Sequence, residues 1–125
     1  MSQRILVVED NDRNRRLVRI LLRAKGYEVI EAATGKEALE YLRTQTPDLI
    51  LMDIQLPNTD GLTLTREIKS NDHTKGVPII AVTAYAMQGD RERMLEAGCD
   101  GYISKPIDTQ KLPQIVADIL QKAQA

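Results

Sequence analysis

Four short aliphatic runs in this chain end in residues able to do chemistry. Ile5-Leu6-Val7-Val8 runs into Glu9-Asp10, Leu49-Ile50-Leu51-Met52 into Asp53, Ile79-Ile80-Ala81-Val82 into Thr83, and Gly101-Tyr102-Ile103-Ser104 into Lys105-Pro106. In an open sheet of parallel strands, such ends share one rim, and ligands bind outside it. Three carboxylates gathered there repel by about 4 kcal/mol per pair at ~4 Å and an effective dielectric of ~20, so a cation must hold them. Hard oxygen donors, with no His or Cys in the pattern, select Mg²⁺ over zinc or copper. Mg²⁺ uses few carboxylates and leaves positions for phosphate oxygens. Lys105 adds a point positive charge and Thr83 a hydroxyl, both suited to a phosphoryl group. The chemistry that uses the whole set is attack by a carboxylate on phosphorus, giving an aspartyl phosphate.

The elements that must position these residues alternate between two periods. Leu17, Val18, Leu21 and Leu22 recur at helical spacing, and Gly26 stops that helix. Val29-Ile30 forms a second strand, and Thr34-Gly35-Lys36-Glu37 is a capping box opening a helix with Ala38, Tyr41 and Leu42 on one face. Pro57-Asn58 and Asp60-Gly61 mark a loop before the helix of Leu64 and Ile68. Leu112, Ile115, Val116, Ile119 and Leu120 form the stripe of a core-facing helix, with Pro113 in its first turn. Five strand–helix units demand parallel strands with helical crossovers. The first, third and fourth strands are continuously aliphatic, as central strands are, whereas the second and fifth are shorter and flanked by polar residues. That contrast predicts the order 2-1-3-4-5. Between Thr83 and Gly98 the helical pattern is poor: Gln88-Gly89-Asp90-Arg91-Glu92-Arg93 brings no apolar residue, and we expect low local stability there.

Composition excludes several classes. The 125 residues are 42% hydrophobic and 28% charged, and 17 Lys and Arg face 18 Asp and Glu. This is the balance of one globular domain, residues 1–125, and neither of a general nucleic-acid binder nor of a polybasic membrane anchor. No apolar run approaches the ~18 residues of a membrane span. The start leads directly into a strand, so no signal peptide is expected and a cytoplasmic location is. Cys99 is the single cysteine, which rules out an internal disulfide and a thiolate zinc site. Four tyrosines without Phe or Trp make no base-stacking platform.

At the rim residues the chain resembles the CheY-like receiver domains of two-component response regulators, over nearly its whole length. The resemblance rests on Val7-Val8-Glu9-Asp10-Asn11, Leu51-Met52-Asp53-Ile54-Gln55-Leu56-Pro57 with Asp60-Gly61, Val82-Thr83-Ala84, and Tyr102-Ile103-Ser104-Lys105-Pro106. The Asp-Ile-Gln-Leu-Pro stretch is similar to stand-alone members that govern bacterial cell division and polarity (DivK-like). The resemblance implies a flavodoxin-like (βα)5 sheet, the order for which this family's type member is a standard example. It implies that Asp53 accepts phosphate from a sensor histidine kinase or a histidine phosphotransfer protein. Asp10, Asp53 and the backbone carbonyl of Gln55 would ligate Mg²⁺, with Glu9 acting largely through water. Lys105 would contact the phosphoryl oxygens and precede a cis proline. Thr83 would move to the phosphoryl group, with Tyr102 turning inward behind it. The output would be binding of a downstream protein target by a monomer or weak homodimer, with no direct contact to nucleic acid or membrane.

Plainer readings stand beside these. Glu9-Asp10 alone is a solvated pair, Asp53 a turn cap, Thr83 a strand residue, Lys105-Pro106 a turn, and Tyr102 an edge-strand packing residue. His73 lies in a polar loop and Cys99 is a small buried residue. Arg13, Arg15, Arg16, Arg19 and Arg23 make either a solvated face or a docking surface for an acidic partner helix. Gln55 and Tyr85, each two residues beyond a rim residue, flank the approach of hydrolytic water, and bulky Tyr85 is expected to slow loss of the phosphoryl group. Three rival functions differ in kind. A small-molecule phosphatase would place Asp-x-Asp after the first strand, a flavodoxin would have a hydroxyl- and glycine-rich first loop, and a phosphate-independent interaction module would have no use for Asp53, Thr83 and Lys105 together. None of these matches the residues present, and the chain reads as a switch, not an enzyme.

Overall fold

Among the described residues the aliphatic runs form five strands, and five helices alternate with them. In chain order these are β1 (Arg4–Val8), α1 (Asp12–Arg23), β2 (Glu28–Ala32), α2 (Gly35–Leu42), β3 (Leu49–Asp53), α3 (Gly61–Ser70), β4 (Ile79–Thr83), α4 (Gln88–Ala97), β5 (Gly101–Ser104) and α5 (Lys111–Gln124). The computed structural model describes residues 2–56, 60–84 and 88–124, the side chains of 88, 89 and 124 excepted. Pro57, Asn58 and Tyr85 therefore lie outside the described residues.

All strand pairs are parallel, in the order β2-β1-β3-β4-β5. β3 and β4 are buried along their whole length, whereas β2 and β5 alternate with exposed positions at the edges. This is the contrast that the sequence carries. Side chains alternate across the sheet, so each strand feeds two cores. Leu6, Val8, Ile50, Met52, Ile79 and Ala81 face α2, α3 and α4. Ile5, Val7, Leu49, Leu51, Ile80, Val82 and Ile103 face α1 and α5, where Leu112, Val116 and Leu120 bury the stripe of the last helix. Each fully buried aliphatic side chain contributes roughly 1.5–3 kcal/mol of transfer free energy. α4 is lightly anchored by its described side chains: Met94 and Ala97 are buried, but Leu95 is 64% exposed.

Helix starts follow side-chain caps. Asn11 Oδ1 accepts from the Asn14 N–H at 2.9 Å, and Thr34 Oγ1 from the Glu37 N–H at 3.1 Å. Glu37 reaches back to the Ala33 N–H at 2.7 Å, one residue before the cap itself. Gly26 takes φ +89°, a left-handed conformation that closes the turn after α1.

Strand ladders continue one residue into the rim loops. The Glu9 N–H donates to the Ala32 carbonyl (3.0 Å), Ile54 N–H to Val82 (3.1 Å) and Lys105 N–H to Thr83 (2.8 Å). Asp60 caps α3, and the Gly61 N–H donates to the Ile54 carbonyl at 3.1 Å. This seats the start of α3 directly on the backbone beside Asp53. A Cβ on Gly61 would overlap the Asp53 carbonyl oxygen and stand 2.6 Å from the Ile54 Cα. Gly61→Ala is therefore expected to lower unfolding free energy by about 1–3 kcal/mol in denaturant titrations, the usual range for overpacking against backbone. Gly76→Ala, which meets nothing within 4 Å, is the control and should stay within about 0.5 kcal/mol of wild type.

Candidate functional site

The alternation that builds the two cores also decides which rim residues meet. Glu9 continues the face of Ile5 and Val7, Asp53 that of Leu49 and Leu51, and Lys105 that of Ile103. All three emerge on the α1–α5 side of the rim. Glu9, Asp10 and Asp53 each bring a carboxylate oxygen within 4.8 Å of the other two. Glu9 and Asp53 are buried, at 4% and 2% exposure, while Asp10 faces solvent. Lys105 Nζ stands 3.4 Å from Asp53 Oδ1 and 3.5 Å from Glu9 Oε1, shared almost equally between the two acids. The Lys105-Pro106 bond is cis, as expected.

Thr83 is buried at 2% exposure, one residue further along β4 than Val82, the strand partner of Asp53. Its alternation places it on the face of Ala81. Tyr102, the β5 neighbour of Ala81, packs against that same core. The Arg91 guanidinium of α4 sits over the Tyr102 ring, 5.0 Å from its centroid. Gln55 ties both halves of the rim together. Its N–H donates to Asp53 Oδ1 at 2.9 Å, and its Oε1 accepts from the Ala84 N–H at 3.4 Å. The seven described residues expected at the rim thus split between its two faces: the acids and Lys105 on one, Thr83 and Tyr102 on the other, with Gln55 between.

Two residues escaped the sequence reading. Asn14 Nδ2 donates to Glu9 Oε1 at 3.0 Å, and Arg15 Nη1 donates to the Glu9 carbonyl at 3.0 Å. The signal was present: Asn11 as a helix cap sets both residues in the first turn, where side chains lean back toward the preceding loop. Arg15 also bonds Asp12 and Glu31, and Arg19 bonds Glu31. These two arginines are spent within the fold. Arg13, Arg16 and Arg23 are exposed and make no ion pair among the described residues, and Ile20 between them is 52% exposed. His73 Nε2 lies 3.0 Å from Thr46 Oγ1, far from any role at the rim. Cys99 is buried, which pushes its thiol up to about 11.

Burial, first, and then the hydrogen bond to Asp53 and its charge push the Glu9 carboxyl up to about 7, against opposing contributions from Asn14 and Lys105. Glu9 therefore keeps its proton to higher pH than an ordinary carboxyl. The donor set, three carboxylates and no nitrogen or sulfur, fits a hard divalent cation able to replace that proton.

A flavodoxin-like sheet carrying a buried aspartate, acidic neighbours and a lysine at its carboxyl rim defines a class: phosphoacceptor switches of the receiver type. Residues 5–117 match the response regulator receiver domain. The chain is 46% identical over 123 residues to the polar-differentiation response regulator DivK of Brucella anthropi, spanning 98% of this chain and 100% of that protein. The receiver domain of the sensor histidine kinase PA1611 of Pseudomonas aeruginosa superposes with a TM-score of 0.88 at 42% identity, covering 97% and 99% of the two chains, and holds a magnesium ion in its active-site cleft. A CheY-like receiver protein of Methanospirillum hungatei superposes with a TM-score of 0.90 at 31% identity, covering 99% and 98%. The chain belongs to the response regulator receiver family. It is a DivK-like signalling phosphoacceptor rather than an enzyme, and a histidine kinase is its partner class. No described helix is long and apolar enough to cross a membrane.

The raised Glu9 carboxyl has a sign in stability. The folded state binds this proton more tightly than the unfolded chain, whose carboxyl titrates near 4.5. The stabilisation is fully present below about 4.5 and is lost as pH rises through about 7. In chelator, the melting temperature of the wild type should fall over that interval, and Glu9→Gln should remove the fall. A Glu9→Gln profile parallel to wild type would contradict this assignment.

Proposed function

We propose that Asp53 is the phosphoacceptor, in a reaction supported by Mg²⁺. The observation that carries this is the buried Asp53 carboxylate, facing two further acids and the Lys105 ammonium at 3.4 Å. Asp10, Asp53 and the Gln55 carbonyl would hold the ion, with Glu9 acting largely through water. When bound, the ion offsets the carboxylate charge and draws phosphoryl oxygens to the rim. An Asp53 carboxylate oxygen attacks phosphorus, the P–N bond of the donor phosphohistidine breaks, and the imidazole nitrogen keeps the electron pair and takes up a proton. Lys105 then turns to the phosphoryl oxygens, and Thr83 hydrogen-bonds to them with Tyr102 following. Gln55 flanks the path of water, and the bulk of Tyr85, two residues beyond Thr83 in sequence, slows dephosphorylation. The phosphoryl group favours one of two pre-existing states, and the readout is binding of a downstream protein.

The donor docks on α1. Arg16 and Arg23 lie about one turn to either side of the exposed Ile20, with Arg13 nearer the helix start, a surface suited to a helix that carries acidic residues around one apolar contact. The same reading places the protein in the cytoplasm, where ATP-charged kinases present phosphohistidine; recovery in the membrane fraction would contradict that.

With Mg²⁺ and acetyl phosphate, intact mass should show one added phosphoryl group on wild type and none on Asp53→Ala. Accumulation on Asp53→Ala would overturn the phosphoacceptor, and multiple turnover without accumulation would favour a phosphatase. Arg16→Glu with Arg23→Glu should leave acetyl phosphate labelling unchanged and slow transfer from a cognate phosphohistidine protein by about tenfold or more, the scale of lost electrostatic steering. Equal slowing with both donors would place the effect in the site instead of the docking face.

A further inference from the structure

One side chain outside the expected set reaches the acid pocket. Asn14 is the third residue of α1, and its N–H is fixed by the Asn11 cap at 2.9 Å. From that position its carboxamide leans back over the first turn and donates from Nδ2 to Glu9 Oε1 at 3.0 Å. Among the described residues Glu9 Oε1 has one further donor, Lys105 Nζ at 3.5 Å, and Lys105 is shared with Asp53 at 3.4 Å. An ammonium held midway between two acids is free to choose. A phosphoryl group on Asp53 adds negative oxygens that draw Lys105 away from Glu9. The carboxamide stays, because it is neutral, short and mounted on a capped helix.

We propose that Asn14 is a positioning residue of this receiver. It holds the Glu9 carboxylate in place so that the acid trio keeps the arrangement a divalent cation needs, before and after Lys105 turns to the phosphoryl group. The Asn14 carboxamide bonds Glu9 among the described residues, and it acts through that acid. The inference rests on the Mg²⁺ reading of the trio. Removing a hydrogen-bond partner of a metal-ligating group typically changes metal affinity about 10- to 100-fold, and Asn14, acting through Glu9 and its water, belongs at the low end of that range.

Calorimetric titration of Mg²⁺ into wild type, Asn14→Leu and Asn14→Gln separates the outcomes. Leu keeps the volume and the helix but has no donor, whereas Gln keeps the carboxamide. Asn14→Leu is expected to raise half-saturation about tenfold, and Asn14→Gln to recover most of the loss. Labelling by acetyl phosphate at saturating Mg²⁺ should stay within about twofold of wild type in both, which places the effect in binding. In metal-free protein, the Asn14 side-chain amide resonance should move on Glu9→Ala; this readout needs neither Mg²⁺ nor a folded Leu variant. Unchanged half-saturation in Asn14→Leu, equal losses in Leu and Gln, or an unmoved resonance would each overturn the proposal. A wild type that binds no Mg²⁺ would overturn it together with the site reading, while binding in wild type and equally in Asn14→Leu would overturn it alone.

Discussion

Like charges placed together are the constraint around which this molecule is arranged. Glu9, Asp10 and Asp53 lie within 4.8 Å of one another, two of them buried, against a single ammonium. Ionised in full, that set would carry an uncompensated negative charge in a poorly solvated place. The fold relieves it in three ways: a Glu9 carboxyl pushed up to about 7, Lys105 shared by both acids, and neutral donors from Asn14 and the Gln55 backbone. Each of these is weak enough to exchange. A pocket held by exchangeable partners is suited to receiving a cation and a phosphoryl group without rebuilding the sheet.

The sheet supplies the precision. Parallel pairing continues past the strand ends into the Glu9, Ile54 and Lys105 amides, so the Glu9, Asp53 and Lys105 side chains leave from or beside backbone that is already hydrogen-bonded. Gly61 lets α3 start against the Asp53 carbonyl, where a side chain has no room. The opposite side of the rim is different in kind. α4 is tied by Met94, Ala97 and the Arg91–Tyr102 contact, and it is the next helix in the chain after Thr83. A rigid acid pocket beside a lightly anchored helix is a physical basis for coupling local chemistry to a surface that other proteins can read.

Much of this was legible from residue order. Continuous aliphatic runs marked β1, β3 and β4 as central, and polar flanks marked β2 and β5 as edges, because burial on both faces leaves no room for alternation. The convergence of Glu9, Asp10, Asp53 and Lys105 followed from parallel strands alone. The division of the rim was harder to see. It depends on whether each residue falls on an odd or even step after its strand, which places Thr83 with Ala81 and Tyr102 and apart from the acids. Asn14 and Arg15 were hidden for another reason: within a run of charged and polar residues, a helix's inward reach near its N-terminus looks like a solvated face. The separation of Arg15 and Arg19, spent on Glu31, from Arg13, Arg16 and Arg23 likewise needed coordinates, since sequence spacing does not say where Glu31 of β2 will lie.

The most direct test of the exchangeable pocket is proton release on cation binding. Titrating Mg²⁺ at about pH 6 in buffers of different ionisation enthalpy should reveal roughly one proton released per ion bound, declining to near zero at about pH 9. Glu9→Gln should abolish the release at the lower pH. Saturable Mg²⁺ binding at about pH 6 with no proton released would contradict the account, because the buried Glu9 carboxyl would then already be ionised at that pH.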